Sequence, residues 1–366
     1  DELDGPRGRI YLIKQVLEGA KPTATTQSHL DRCLTCRNCE TTCPSGVQYG
    51  HLIDIGRKVV EERVARPWPA RLKRLLLRKG LNSVMFAPAM RLGQALRGVL
   101  PPSLRRKVPV RRDVGVVPDG SRHERQVLML AGCVQPAMMP NIDAATIRVL
   151  DAIGIGTRVA PGSGCCGAID FHLDAQDEAL DRMRANIDAW WPLVEGGVVE
   201  AIVMNASGCG ATVKEYAHHL RHDPAYADRA ARIAALVKDV AEIVAPHSAE
   251  LRPRLVPVTA RTAFHPPCTL QHWQGLRPLS ERLLADLGFE LQPFNETHLC
   301  CGSAGAYSVL NPDIALSLRD RKLSNIGTAQ PDSILSSNVG CIGHLQSGTQ
   351  VPVRHWIEAL DERLRR

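Results

Sequence analysis

Twelve cysteines are the residues of this chain best suited to chemistry, and their spacing is ordered. Four form Cys33-x2-Cys36-x2-Cys39-x3-Cys43 followed by Pro44, the ligand run of a cubane iron–sulfur cluster. The other eight form two copies of one pattern. Cys133 lies 32 positions before Cys165-Cys166-Gly167, and Cys268 lies 32 positions before Cys300-Cys301-Gly302. A further cysteine follows each pair, Cys209 and Cys341. Thiolates are soft ligands that suit iron–sulfur clusters, and the short intervals of the first run let one loop wrap three corners of a cubane. Zinc sites pair two distant Cys-x-x-Cys knuckles instead. The expected chemistry is electron transfer.

Strands and helices must bring the scattered cysteines together. Val127–Ala131 reads as a buried strand with Cys133 just past its end. A helix over Asp143–Ala152 and a strand near Thr157–Ala160 precede Cys165; a helix over Ala175–Trp190 and a strand at Ala201–Asn205 precede Cys209. The second half repeats the order. Thr262–His265 precedes Cys268, a helix over Leu279–Leu287 and strand Phe289–Pro293 precede Cys300, and Ser333–Ser336 precedes Cys341. A unit of about 135 residues is too long for a solenoid, so the pattern predicts a duplicated domain. Alternating strands and helices imply parallel sheets. Every repeat cysteine then falls in a turn after a strand, at the carboxyl edge where α/β sheets bind ligands, so each set of four can converge on one site.

At 366 residues, 44% hydrophobic and 4% aromatic, the chain has room for two or three domains with ample core. An even cysteine count could mean disulfides, but the length, the lack of an apolar signal segment and the adjacent cysteines favour redox or metal chemistry in a reducing cytoplasm. No apolar run approaches the roughly 18 residues of a membrane span. The net charge of +7 is uneven: Arg57 to Arg112 holds sixteen Lys/Arg against Glu61 and Glu62. Such a block meets anionic lipid or an acidic partner, or is a solvated face; without aromatic interleaving or DNA-binding grammar, no nucleic acid is expected. It reads as one or two short amphipathic helices, including Arg71–Leu77, in a proline-punctuated linker. Helices are expected over Arg9–Leu17 and His51–Val64 on either side of the first run.

In two-cluster ferredoxins the fourth cysteine of a run ligates the other cluster. Cys33, Cys36 and Cys39 then need a fourth thiolate from a second run, and Cys43 serves a cluster whose other ligands are absent. The chain opens abruptly at Asp1, so the expectation is that a partner run lay just upstream. The alternative is one cluster held by all four local cysteines.

Residues Asp1–Leu12 (DELDGPRGRIYL), Leu30–Val47 (LDRCLTCRNCETTCPSGV) and Asn205–Gly210 (NASGCG) closely resemble the iron–sulfur subunits of bacterial glycolate oxidases, and the resemblance covers essentially the whole chain. It implies an α-helical ferredoxin-type domain, partial here, holding [4Fe-4S] clusters, followed by two duplicated α/β cysteine-rich (CCG) domains. The expected divisions are 1–65, a basic helical linker at 66–125, and the repeats at 126–255 and 256–366. It also implies that flavin-bearing partner subunits oxidise glycolate to glyoxylate, and that electrons leave through this chain toward a membrane quinone-type acceptor. The expected location is the cytoplasm, peripheral at the inner face of the cytoplasmic membrane. The repeats also resemble the cysteine-rich subunit of heterodisulfide reductases, whose last element is Cys-x-x-Cys. Here Ala206 and Asn338 stand at its first position, so each repeat offers four thiols, and disulfide-reducing chemistry is disfavoured.

The metal ligands expected are all twelve cysteines: Cys33, Cys36, Cys39, Cys43, Cys133, Cys165, Cys166, Cys209, Cys268, Cys300, Cys301 and Cys341. Buried cysteine is often only a small hydrophobe, but the repeated 32-residue interval weighs against that. Gly167, Gly302, Gly208 and Gly340 read as turn glycines that also let backbone N–H groups approach cluster sulfurs. His265, His272, His298 and His344 lie near second-repeat cysteines and could ligate or support them; packing is the plainer reading, more so for His51. Arg7 and Arg9 read as helix-start packing. No dinucleotide fingerprint, P-loop or nucleophile–base constellation is visible, so no catalytic residue and no cofactor site beyond the metal ligands is assigned. Rival functions are the same architecture serving lactate or glycerol 3-phosphate, a disulfide-reducing CCG enzyme, and a scaffold with empty cysteines.

Overall fold

Two four-stranded parallel sheets with one strand order organise most of the molecule, in a computed structural model that describes residues 1–105 and 107–365. The first contains β1 (Arg125–Met129), β2 (Ile155–Arg158), β3 (Ala201–Met204) and β4 (Val237–Asp239), in the order β2-β1-β3-β4. The second contains β5 (Arg261–Phe264), β6 (Glu290–Leu291), β7 (Ser333–Ser336) and β8 (Val353–His355), in the order β6-β5-β7-β8. The central strands are near-continuous apolar runs, and β3 is buried along its whole length, as a sheet covered on both faces requires. The duplication expected from the cysteines is thus a duplication of topology.

Two edge strands were not visible in the sequence. Val237-Lys238-Asp239 and Val353-Arg354-His355 are three residues long and half polar, too short to show a strand period. The strands expected at Thr157–Ala160 and Phe289–Pro293 lie up to two residues earlier or shrink to Glu290–Leu291. One placement needs correction. Cys209 and Cys341 do not sit in turns; they lie in the first turns of helices Ser207–Lys214 and Val339–Gln346.

The repeats are fused. One apolar core runs from Val127, Ile142, Val149 and Ile155 to Leu283, Ile334, Trp356 and Ile357. Helix Pro140–Ala152 packs on helix Trp356–Asp361 across this seam, with Arg148 paired to Asp361 at 2.7 Å. The Ser207 N–H donates to the Ser337 carbonyl at 3.0 Å, and the His355 ring reaches the Asn205 carbonyl at 2.9 Å.

At the N-terminus, helices Pro6–Leu17, Ala24–Asp31, Asn38–Thr41 and Tyr49–Arg63 close a small core of Ile13, Val16, Leu30, Tyr49, Ile53 and Val60. Gly56 permits the close crossing of the first and last, since a Cβ there would meet Ile13 Cγ1 at 2.5 Å. The linker forms helices Trp68–Leu81 and Phe86–Ala95, longer than expected. Much of its basic charge is spent internally: Arg66 pairs with Asp31, Glu61 and Asp174, Arg74 with Asp31 and Asp174, and Arg78 with Glu178. Among the described residues no helix is long and apolar enough to cross a membrane.

Candidate metal centres

All twelve cysteines are free thiols, and eleven gather into three neighbourhoods. In the first repeat, the Sγ atoms of Cys133 and Cys165 lie 3.4 Å apart, and the Cys166 thiol neighbours those of Cys165 and Cys209. The strand-ends β1, β2 and β3 deliver these four residues to one edge of the sheet. In the second repeat, the thiol of Cys268 neighbours that of Cys300, Cys300 that of Cys301, and Cys301 that of Cys341. In the N-terminal run, Cys33, Cys36 and Cys39 share one another's field. Positive φ at Thr35 (50°) and Arg37 (57°) curls this loop around Cys36. Cys43 stands apart, its thiol held below the ordinary range by backbone N–H groups of Val47, Ser45 and Gly46.

The spacing did not foretell one contact. The Cys36 and Cys268 thiols are neighbours, so the N-terminal run and the second-repeat thiols form one continuous array.

These thiols cannot all ionise unaided. The hydrogen bond to Cys165, then burial, pushes the Cys133 thiol far up, while bonds from Cys133 and Cys166 hold Cys165 down to about 3. Cys166 and Cys268 are likewise pushed up by neighbouring thiols and by burial, and Cys301, against the opposing effect of Cys300, by Cys341 and burial. In the first repeat one thiol is held down while its neighbours Cys133 and Cys166 are pushed up, a mismatch that a bound cation relieves by deprotonating its thiol ligands outright. The donor set therefore fits iron–sulfur centres, which when bound supply one-electron redox chemistry.

The remaining parts fit that role too. Gly167 (φ 93°) and Gly302 (φ 88°) take left-handed backbone, and their N–H groups donate to Cys165 Sγ (3.5 Å) and Cys300 Sγ (3.4 Å). A Cβ would meet the Ala179 carbonyl at 3.0 Å in one repeat and the Ala315 carbonyl at 2.3 Å in the other. Gly167 and Gly302 are turn glycines as expected, whereas Gly208 and Gly340 lie within helices Ser207–Lys214 and Val339–Gln346. A cation faces each group. Arg182, paired with Asp170, faces Cys165 and Cys133. Lys322, 1% exposed, donates to the Glu296 carbonyl at 2.6 Å and faces Cys268, Cys301 and Cys300. Arg57 donates to the Cys33 carbonyl at 2.7 Å and faces Cys33.

A polar latch seats the N-terminal run on both repeats. Arg37 lies 3.5 Å over the Trp273 ring and forks onto both carboxylate oxygens of Glu215, which stacked His51–His218 flank. Trp273 donates to the Thr35 carbonyl at 3.0 Å, and Tyr307 to that of Arg32 at 3.1 Å. A small pocket beside the latch is lined by Asp54, His172, His219, Glu215 and Trp273. Burial, against the opposing charges of Arg57 and Arg37, lifts Asp54 to about 7, and burial lowers His172 to about 3.

Of the histidines considered, His265 is at the second thiol group. His272 instead bonds to Thr41 and the His298 carbonyl, and His344 to the Ala315 carbonyl. Arg9 bonds to the His29 carbonyl at 2.7 Å, a packing role as expected. Sequence reasoning missed Arg37, Glu215, Trp273 and Lys322, which belong to no motif. Lys322 alone left a signal, falling on the buried face of helix Pro312–Gly327 with Ala315 and Ile326.

Parallel duplicated sheets with thiols at matching strand ends define a tandem cysteine-rich redox protein. The pattern of the cysteine-rich domain family matches residues 127–214 and 262–346. Along its full length the chain is 50% identical to the glycolate oxidase iron-sulfur subunit of Escherichia coli K12, spanning 89% of that protein. It is 28% identical to a probable glycolate oxidase iron-sulfur subunit of Bacillus subtilis over 95% of the chain and 84% of that protein. It is also 25% identical to lactate utilization protein A of Geobacillus thermodenitrificans, over 65% of the chain and 99% of that protein. The chain belongs to the family of glycolate oxidase iron–sulfur subunits. It is an electron-transferring iron–sulfur subunit of an oxidoreductase.

Proposed function

We propose that this chain carries electrons from glycolate, oxidised to glyoxylate on flavin-bearing partner subunits, toward a quinone-type acceptor at the cytoplasmic face of the membrane. The observation that carries the reading is the gathering of eleven thiols into buried groups, with the N-terminal run in contact with the second repeat through Cys36 and Cys268. Glycolate oxidation releases two electrons; one-electron centres pass them singly. Cys33, Cys36 and Cys39 hold a [4Fe-4S] cluster, Cys43 serves a neighbouring one, and each repeat holds a further centre on its four cysteines. The working divisions are 1–65, 66–125, 126–255 and 256–366. Identity over the full chain to a subunit named for glycolate supports that substrate over lactate.

Membrane contact is supported by the linker helices. Trp68 (74% exposed), Leu76, Val84 (90%), Met85, Leu92 and Val99 present apolar side chains to solvent among lysines and arginines. Basic residues beside exposed apolar ones suit an anionic lipid surface.

The test is anaerobic purification of the full chain with its flavin-bearing partners, followed by iron and sulfide analysis and addition of glycolate, lactate or glycerol 3-phosphate. Iron-dependent absorbance that bleaches with glycolate, and loses a share in Cys165→Ser/Cys166→Ser, is expected. An iron-free chain, or bleaching by lactate alone, refutes the proposal.

A further inference from the structure

His265 follows the last residue of β5 and precedes Pro266-Pro267-Cys268, so the strand end aims it at the second thiol group. Its side chain is wholly buried, and neither ring nitrogen has a hydrogen-bond partner among the described residues. A buried polar group left unpaired is destabilising, so a partner is called for. A ring nitrogen and the Sγ atoms of Cys301 and Cys341 all lie within 4.8 Å of one another. Donors bound about 2.0–2.3 Å from one metal ion stand at most roughly 4.5 Å apart, so the three donor atoms are close enough to serve one metal centre.

The first repeat supplies a control. Counting three residues back from the first cysteine of each repeat, the position of His265 is held by Leu130, a buried apolar residue at 8% exposure. The fold thus accepts an aliphatic side chain at this strand end, and packing alone does not call for imidazole. Neither His272 nor His344 competes for the role, since each has a backbone carbonyl as partner.

We infer that His265 is a nitrogen ligand of the second-repeat iron–sulfur centre, beside Cys301 and Cys341, whereas the first-repeat centre is ligated by sulfur alone. The inference rests on the reading that the second repeat holds such a centre. A neutral nitrogen donor adds no negative charge, and imidazole ligation raises the potential of iron–sulfur centres. The second-repeat centre therefore accepts electrons at the higher potential of the two.

Pulsed electron paramagnetic resonance on the anaerobically reconstituted full chain tests this, in whichever oxidation state is paramagnetic, with natural-abundance and 15N-histidine-labelled protein. The wild type should show the hyperfine coupling of a metal-bound imidazole, converted to the 15N pattern by labelling. His265→Leu, which copies the first repeat, and His265→Cys, which returns a soft ligand, should both abolish it, and His265→Cys should keep the iron content. In His265→Cys one midpoint potential should also move down. Cys301→Ser separates the two ways of failing. Iron unchanged in Cys301→Ser refutes the centre itself; iron lost in Cys301→Ser, with no imidazole coupling in the wild type or coupling unchanged in His265→Cys, refutes only the histidine. Should His265→Leu fail to accumulate, His265→Cys decides.

Discussion

Arg37→Leu should loosen the N-terminal run from the two repeats by an amount that depends on pH. Arg37 and Glu215 have side chains only 8% and 16% exposed. Burial pushes the Glu215 carboxyl up, but the Arg37 guanidinium, helped by His219 and His51, holds it below the ordinary carboxylate range. Removing one partner of a buried pair costs about 3–5 kcal/mol because a charge is left unpaired. Glu215 has an escape, since it can take a proton. From an ordinary pKa near 4.3, protonation at pH 7 costs about 3.7 kcal/mol, and at pH 6 about 2.3 kcal/mol. The penalty for Arg37→Leu is therefore capped near 3–4 kcal/mol at pH 7 and near 2 kcal/mol at pH 6, with about 1 kcal/mol more at either pH from the lost stacking on Trp273. The sign follows from the depressed carboxyl: in the wild type the pair's contribution is present above the unfolded pKa and lost only as pH falls through the lower folded one. The assay is urea unfolding of wild type, Arg37→Leu and the double variant Arg37→Leu/Glu215→Leu at both pH values. The double variant, with no charge left over, should recover most of the loss. A penalty equal at pH 7 and pH 6, or a double variant no better than the single, would falsify the account.

Gly302→Ala should damage the second-repeat centre more than Gly167→Ala damages the first. Both incur the left-handed backbone cost of about 1–2 kcal/mol, but the 2.3 Å approach to the Ala315 carbonyl adds roughly 1–3 kcal/mol where 3.0 Å at Ala179 adds little; iron retained per chain during urea titration should rank them, and equal losses would contradict the geometry. Lys322→Met removes the buried cation facing Cys268, Cys300 and Cys301, and should lower that centre's midpoint by about 50–100 mV, the scale of a unit charge roughly 7–14 Å away at an effective dielectric near 20. An unchanged redox titration would show that the charge is screened. Reversing Arg71, Lys79 and Arg91 to glutamate should cut sedimentation with vesicles containing phosphatidylglycerol by tenfold or more, each basic residue near an anionic surface contributing about 1 kcal/mol. Equal binding to neutral vesicles would point to apolar attachment alone.

The periodicity of the cysteines made the duplication legible because a ligand must sit where a strand ends, and strand ends recur with the fold. The strands carrying them, β1, β3, β5 and β7, were readable as apolar runs buried on both faces. The edge strands β4 and β8 were not, since three half-polar residues show no period. Convergence of each set of four also followed from the parallel topology. The contact between Cys36 and Cys268 did not, because it depends on how the N-terminal helices dock, and docking is written in single residues such as Arg37, Glu215 and Trp273. His265 was legible only as a histidine near a cysteine; that its ring nitrogens find no hydrogen-bond partner among the described residues is a property of the packed interior.

The apolar seam joining the two sheets bears on rate as well as stability. Tunnelling between redox positions decays exponentially with separation, so a hinge between the repeats would let thermal motion open and close the route. A close-packed interior shared by Val127, Ile142, Ile334 and Trp356 leaves no such hinge. The two repeat positions behave as fixed stations on one rigid body. Ligand identity can then drift in one copy, as at Leu130 and His265, and change the driving force of a hop without changing its length.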